Sequence, residues 1–223
     1  MTHRASRALP LALLLIAACG DPPPLALVPA PVPIGHDAEA VHGLVPMDPD
    51  HDGDTDFVAA LDSGLHYLSF RDGGWHDETP GTALEQAGLA QRLAAGGMDL
   101  LLERSDGSRA RLQYTGIGSW KAGGEAPATL PDEPRSVEAD LDGDGQADRA
   151  ELEGRRLRIL LRGADGALHD ATTALGADAL TLRGEGRALF ACDADGDGDT
   201  DLLAVGARVM AWISNGGRAL GRP

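Results

Sequence analysis

Cysteine, aromatic side chains, positive charge and long apolar runs are all scarce in this chain, and each scarcity closes off a class of protein. Two cysteines, Cys19 and Cys192, stand in 223 residues. With Cys19 assigned to the export signal described below, Cys192 has no partner in the mature chain, which excludes an intramolecular disulfide. Lys and Arg number 19 against 35 Asp and Glu, a formal charge of -16. Phosphate binding needs a basic face, so nucleic acid is excluded as a partner. The apolar run from Ala8 to Ala18 is interrupted by Pro10 and falls short of the about 20 residues that a membrane-spanning helix requires. No histidine cluster has zinc spacing and no glycine loop is built to cradle phosphate. Ser119 and Ser214 lack the strand-to-helix elbow of serine hydrolases. Glycine, by contrast, is abundant at 30 residues, and frequent glycine between short apolar runs suits tight turns between strands.

The N-terminus reads as an export signal. Arg4 and Arg7 precede the apolar run, which ends Leu15-Ile16-Ala17-Ala18-Cys19-Gly20. This resembles the bacterial lipobox, an aliphatic residue and two small ones before a cysteine that receives diacylglycerol. The resemblance implies a signal peptide over residues 1–18, cleavage before Cys19, and a membrane partner engaged through lipid on Cys19. Two or more acyl chains make such an anchor stable. Gly20 rather than Asp follows the cysteine. By resemblance to the sorting rule of enteric bacteria, that favours the outer membrane or the periplasmic face of the cell envelope over the inner membrane. Residues 19–34 are proline-rich, with Pro22-Pro23-Pro24 and Pro29-Ala30-Pro31-Val32-Pro33, and are expected to form an extended spacer. The repeat domain is expected over residues 35–223.

Three nine-residue windows in that domain share the form D-x-D-x-D-G-x-x-D. They are Asp48, Asp50, Asp52, Gly53, Asp56; Asp140, Asp142, Asp144, Gly145, Asp148; and Asp193, Asp195, Asp197, Gly198, Asp201. The first and third add Asp54 and Asp199 at position 7, where the second has Gln146. The first gap is wide enough for a further unit, and aligning Asp99-Leu100-Leu101-Leu102 with Asp201-Leu202-Leu203-Ala204 places a degenerate loop at residues 91–99. There Gln91, Leu93 and Ala95 replace the first three aspartates, so no metal is expected. Short apolar runs, glycine turns and alternating stretches such as Leu157, Ile159 and Leu161 follow the loops. Period two marks strands with a buried face. A bulky apolar residue recurs 19 to 21 positions after each last loop aspartate, at Trp75, Trp120, Leu168 and Leu220. Each unit reads as strand, loop, strand, turn, strand, turn, strand. Thr82 to Ala94 disagrees, with a helix-favouring composition that leaves a short helix open there as an alternative to the strand reading.

Clustered carboxylates repel unless a cation neutralises them. Side chains at positions 1, 3 and 5 converge, the glycine at 6 permits the turn, position 7 offers its carbonyl and position 9 closes the shell; hard oxygen ligands select Ca²⁺. An EF-hand requires flanking helices and an acid at position 12, where this chain has Ala59, Glu151 and Ala204. The units from Gly35 to Pro223 resemble FG-GAP/VCBS repeats instead, the blades of integrin-α-like β-propellers. The resemblance rests on the three loops, on "DFVAALDSG" and "DLLAVGA", and on the inter-blade pieces Trp75-His76-Asp77-Glu78-Thr79 and Leu168-His169-Asp170-Ala171-Thr172. It implies an all-β, propeller-like array of about four blades, partial or unusually closed, with residues His36 to Met47 available to supply a missing strand. About three Ca²⁺ ions are expected. His76-Asp77 and His169-Asp170 recur at one place in two repeats, which marks a turn rather than acid/base chemistry. Cys192 is expected as a buried thiol. The functional expectation is a non-enzymatic binding or scaffold lipoprotein with a protein or glycan ligand. The alternatives are a lectin-like glycan binder, with Trp75, Trp120 and Trp212 as sugar-stacking candidates, or an accessory subunit of an envelope enzyme.

Overall fold

The computed structural model describes residues 28–31, 40–72, 74–179, 181–182, 184–194, 198–206 and 210–214. The expected signal peptide, Cys19, loop residues Asp195 and Asp197, and Leu220 lie outside them. The described chain is all-β apart from a 3-10 turn at Ala177–Ala179, and its strands form four sheets of four antiparallel strands. Sheet 1 runs β2 (Val41–Met47), β3 (Asp56–Leu61), β4 (Gly64–Arg71), β5 (Gly74–Asp77). Sheet 2 runs β6 (Arg92–Gly96), β7 (Asp99–Glu103), β8 (Arg109–Gly116), β9 (Ser119–Ala122). Sheet 3 runs β10 (Ser136–Ala139), β11 (Asp148–Glu153), β12 (Arg156–Arg162), β13 (Leu168–Asp170). Sheet 4 is composite: β14 (Ala188–Cys192), β15 (Asp201–Val205) and β16 (Met210–Ser214) are completed by β1 (Val28–Pro31).

The missing strand therefore comes from Val28–Pro31, within the segment expected to be spacer. It does not come from His36 to Met47, whose described part includes β2, the first strand of sheet 1. Proline in β1 is tolerable because β1 is an edge strand with a single neighbour, paired Pro29↔Ile213 and Pro31↔Ala211. Only Val28 and Ala30 can donate to that ladder, and the prolines leave no N–H on the outer edge for another chain to pair with. The N-terminal segment is thereby joined to the last repeat.

Alternation along the strands sorts the core into three clusters. On β3, Phe57, Ala59 and Leu61 pack toward Leu203 and Val205 of sheet 4, while Val58 and Ala60 pack toward Leu93, Leu100 and Leu102 of sheet 2. On β15, Leu202 and Ala204 turn the other way, onto Ala150, Leu152 and Ile159 of sheet 3. Sheets 1 and 4 are thus covered on both faces, and all of β3 is buried. The packing order is 2-1-4-3, and no core cluster of the described residues joins sheets 2 and 3. The array is not closed: its seam between the last and first repeats is packed, and its opening lies between two repeats consecutive in sequence. Each of these large apolar side chains contributes about 1.5–3 kcal/mol by burial. Gly43 sits at a close approach of sheets 1 and 2. A Cβ there would lie 2.7 Å from Leu93 Cβ, so a side chain at this position would force the sheets apart.

The short helix that composition left open over Thr82 to Ala94 is not formed. Thr82–Ala87 forms turns closed by bonds to the third residue back, such as Gln86 N to Ala83 O and Ala87 N to Leu84 O, and Arg92–Gly96 is strand β6. Helix propensity yielded to tertiary pairing. A helix would have withdrawn Leu93 from its partner Leu102, and Leu84, Ala90 and Leu93 from one core cluster. The degenerate loop at 91–99 is likewise not a loop. β6 occupies most of it and turns directly into β7 at Gly97-Met98, with Gly96 opposite Asp99.

Candidate metal centres

Each of the three aspartate loops joins the first and second strands of its sheet, and the described parts share one hydrogen-bond scheme. The position 1 carboxylate accepts the position 6 glycine N–H: Asp48 from Gly53 at 3.3 Å, Asp140 from Gly145 at 2.8 Å, Asp193 from Gly198 at 2.9 Å. Those glycines have φ of 97°, 85° and 90°, a region in which a side chain is strained. Position 5 accepts from position 7, Asp52 from Asp54 N at 2.9 Å and Asp144 from Gln146 N at 2.8 Å. Asp144 also accepts the Gln146 side-chain amide at 2.9 Å.

Carboxylate oxygens of Asp48, Asp50 and Asp52 lie within 4.8 Å of one another, as do those of Asp140, Asp142 and Asp148. Asp54, Asp56 and Asp144 stand outside those two groups. Asp48 Oδ1 is buried with no hydrogen-bond partner, which is the condition a cation would relieve. The residues present therefore fit Ca²⁺, with oxygen donors alone and one orphaned anionic oxygen. Burial, then repulsion from Asp52, pushes the Asp50 and Asp54 carboxyls above the ordinary aspartate value. Burial raises Asp142 too, with the charges of Asp148, Asp144 and Asp140 adding to it. The charge of Asp193 in the third loop also acts on Asp54, as expected where β2 packs beside β14.

The ninth-position aspartate has a second role that spacing alone did not reveal. Asp148 Oδ2 accepts Leu141 N at 2.8 Å within its loop, and Oδ1 accepts Arg162 N at 2.7 Å from β12. Asp201 accepts Ala194 N at 3.1 Å in the same way. In the first loop the residue at position 2 is Pro49, which has no N–H to offer. There Asp56 Oδ2 accepts the Tyr67 hydroxyl at 2.7 Å, and Oδ1 accepts Phe70 N at 2.9 Å. Burial outweighs those two bonds and lifts the Asp56 carboxyl from 3.8 to about 6. Sheet 2, which has lost its loop, keeps the brace: Asp99 accepts Tyr114 N at 2.7 Å and Arg111 Nε at 2.7 Å. The Tyr114 bond and the Arg111 guanidinium hold Asp99 below the ordinary range.

The loop-less repeat instead supports its neighbour. Pro49 O accepts Gly118 N at 2.8 Å from the β8–β9 hairpin and also the Tyr114 hydroxyl. Tyr67→Phe is expected to strand Asp56 Oδ2 and cost about 1–3 kcal/mol in urea unfolding. Adding Pro49→Ala, which restores the N–H used in the other loops, is expected to recover part of that loss. A double-mutant cycle with no coupling would refute the substitution of hydroxyl for amide.

The recurring His-Asp pieces end strands β5 and β13, and each aspartate caps the turn that follows. Asp77 accepts Thr79 N at 2.9 Å and Thr79 Oγ1 accepts Tyr67 N at 2.8 Å; Asp170 and Thr172 repeat this at 3.0 Å each, on Ile159 N. A constellation missed from sequence is Ser63–His66–Asp77, with Ser63 Oγ 2.8 Å from His66 Nε2 and His66 Nδ1 3.1 Å from Asp77 Oδ2. Its order is that of a hydrolase triad. However, His66 stands opposite Ala59 as Arg158 stands opposite Glu151, and Arg158 Nε makes the same bond to Asp170 at 3.1 Å. Arginine cannot act as a base there, so the shared feature is a strand-to-turn brace.

Trp75 packs on Phe57 and Phe70 at centroid distances of 4.9 and 5.0 Å. Trp120 is buried beside Tyr67 and Tyr114 and donates to Met98 O at 2.9 Å. These two are core residues, not an exposed platform for a sugar. Of Trp212 only the strand position in β16 is described. Cys192 packs against the cluster between sheets 1 and 4. Burial, with Asp201 and Asp193 nearby, pushes its thiol up to about 12, which keeps it protonated and unreactive.

A family model described as an FG-GAP-like repeat matches residues 140–204, from the second loop through most of β15. No curated protein matches the chain. Among solved structures, one titled "Crystal structure of BBS1N in complex with ARL6DN, soaked with lead" is similar at 10% identity, over 87% of this chain and 68% of that one, with a TM-score of 0.29.

Proposed function

Because this chain is an FG-GAP-like repeat protein, we propose that it is a calcium-binding, non-enzymatic binding or scaffold module, exported and held at the bacterial cell envelope by lipid on Cys19. The observation that carries the calcium reading is the buried, unpartnered Asp48 Oδ1 beside Asp50 and Asp52. Positions 1, 3 and 5 of each loop, namely Asp48, Asp50, Asp52; Asp140, Asp142, Asp144; and Asp193, Asp195, Asp197, supply side-chain oxygens. Position 7 (Asp54, Gln146, Asp199) supplies its carbonyl, and Asp56, Asp148 and Asp201 close each loop onto the following strands. The loops stand at the ends of the edge strands β2, β10 and β14, so an ion in each would lock that strand to its neighbour. A rigid array with side chains committed to packing suits binding better than turnover.

Equilibrium dialysis with ⁴⁵Ca²⁺ is expected to give about three ions per chain, with none lost on substitution of Gln91. A stoichiometry near one would overturn the loop assignment. Fractionation tests the anchor: Cys19→Ser is expected to move the protein from the membrane to the soluble fraction or leave it uncleaved. Unchanged membrane partitioning of that variant would refute lipidation.

A further inference from the structure

A cavity of about 250 Å³ lies where the edge strands β2, β6 and β14 meet the connector 131–134. Its wall is apolar, with Leu44 and Leu93 buried at 3% and 2% exposure, and with Phe190 and Ala94 partly covered. The connector brings two carboxylates to it, and they differ in state. Glu133 is paired with Arg187 at 3.2 Å, and Arg187 is itself tied to Val41 O at 2.9 Å. Asp132 is exposed and has no hydrogen-bond or ion-pair partner among the described residues. Pro131 and Pro134 bracket the pair. Pro131 O is held by Arg92 at 2.9 Å and Pro134 O by Leu189 N at 2.7 Å, so the connector is fixed at both ends. The result is an apolar pocket with one unneutralised negative charge at its mouth.

We propose that this cavity is a binding site for a small organic cation, an aryl or branched alkyl group carrying an ammonium. The apolar part would sit between Leu44, Leu93 and Phe190, and the ammonium would meet Asp132. The size agrees: a cavity of roughly 150 Å³ accepts benzene, which leaves room here for a phenyl ring and a two-carbon arm. The charge sets the sign of the ligand, because an anion would meet Asp132 uncompensated, while Glu133 is already matched. A neutral group of the same shape would gain only the apolar burial. The site uses neither the loops nor their ions, so it stands apart from the calcium reading.

The test uses the calcium-loaded full chain and three probes of nearly equal shape: 2-phenylethylammonium, 2-phenylethanol and phenylacetate. Titration followed by amide chemical shifts is expected to give a Kd of about 0.1–1 mM for the cation, with the largest shifts at Leu44, Leu93 and Phe190. The alcohol should bind more weakly and phenylacetate weakest. Asp132→Asn, a surface change that leaves the core intact, should weaken the cation about threefold to fivefold and leave the alcohol unchanged. Ala94→Phe should remove binding of both by filling the space. No saturable shift with the cation, equal affinity for phenylacetate, or cation binding indifferent to Asp132→Asn would each overturn the proposal.

Discussion

In excess chelator at neutral pH the chain is expected to melt roughly 15–30 °C below its calcium-loaded form, and the two forms should respond to acid in opposite directions. Three ions that bind only the folded state stabilise it by about 2.7 kcal/mol each at a hundredfold excess over Kd, and each kcal/mol moves the midpoint of a chain this size by about 2–4 °C. The acid response follows from the loop carboxyls. Asp56 titrates near 6 in the folded chain against 3.8 ordinarily, and burial first, then neighbouring charge, raises Asp50 and Asp54 as well. An acid with a raised folded value binds protons more readily folded than unfolded. Metal-free stability should therefore rise as pH falls from about 6 toward about 4, with Asp56 alone accounting for about 2 kcal/mol over that window. In calcium, the same protons compete with the ion, so stability should fall over that window. Melting curves at pH 4, 5, 6 and 7, with and without chelator, check both signs. A metal-free protein that also loses stability from pH 6 to 4 would show that the loop carboxylates are not strained when empty.

Asp99→Ala is expected to destabilise the chain by about 3 kcal/mol in calcium and in chelator alike, because it leaves Tyr114 N unpaired and Arg111 without its carboxylate. Asp99 stands in the sheet that has no loop, so no ion is involved. Asp140→Ala should behave in the opposite way. Among the described residues Asp140 accepts from Gly143, Asp144 and Gly145 on an exposed turn, and its loss should show in calcium and nearly vanish in chelator. Asp148→Ala should combine the two. It breaks the bonds to Leu141 N and Arg162 N whatever the metal, and it also removes an oxygen from the group with Asp140 and Asp142. Urea unfolding of the three variants in both conditions separates bracing from ligation. Equal losses for Asp99→Ala and Asp140→Ala in chelator would refute the division of roles.

How much of this was legible from the chain follows from the range of each interaction. The loops were, because position 1 accepts from the glycine at position 6 and position 5 accepts from position 7, all within a few residues, and that local geometry dictates the spacing. The strands of sheet 3 were, because Leu157 and Ile159 alternate with the less buried Arg156 and Arg158 along β12. Sheet membership was not. Val28–Pro31 looks like polyproline spacer until an open edge at β16 is there to receive it. Thr82 to Ala94 looks like helix until Leu93 is needed opposite Leu102. The lost loop at 91–99 could be counted, but only pairing showed that its residues had become β6. Tyr67 standing in for the amide that Pro49 lacks joins residues on two strands. The packing order 2-1-4-3 depends on which faces find partners. Local chemistry is written in neighbouring residues; the partners that complete a sheet, satisfy a buried carboxylate or shape a cavity come from distant parts of the chain, and only their packing decides them.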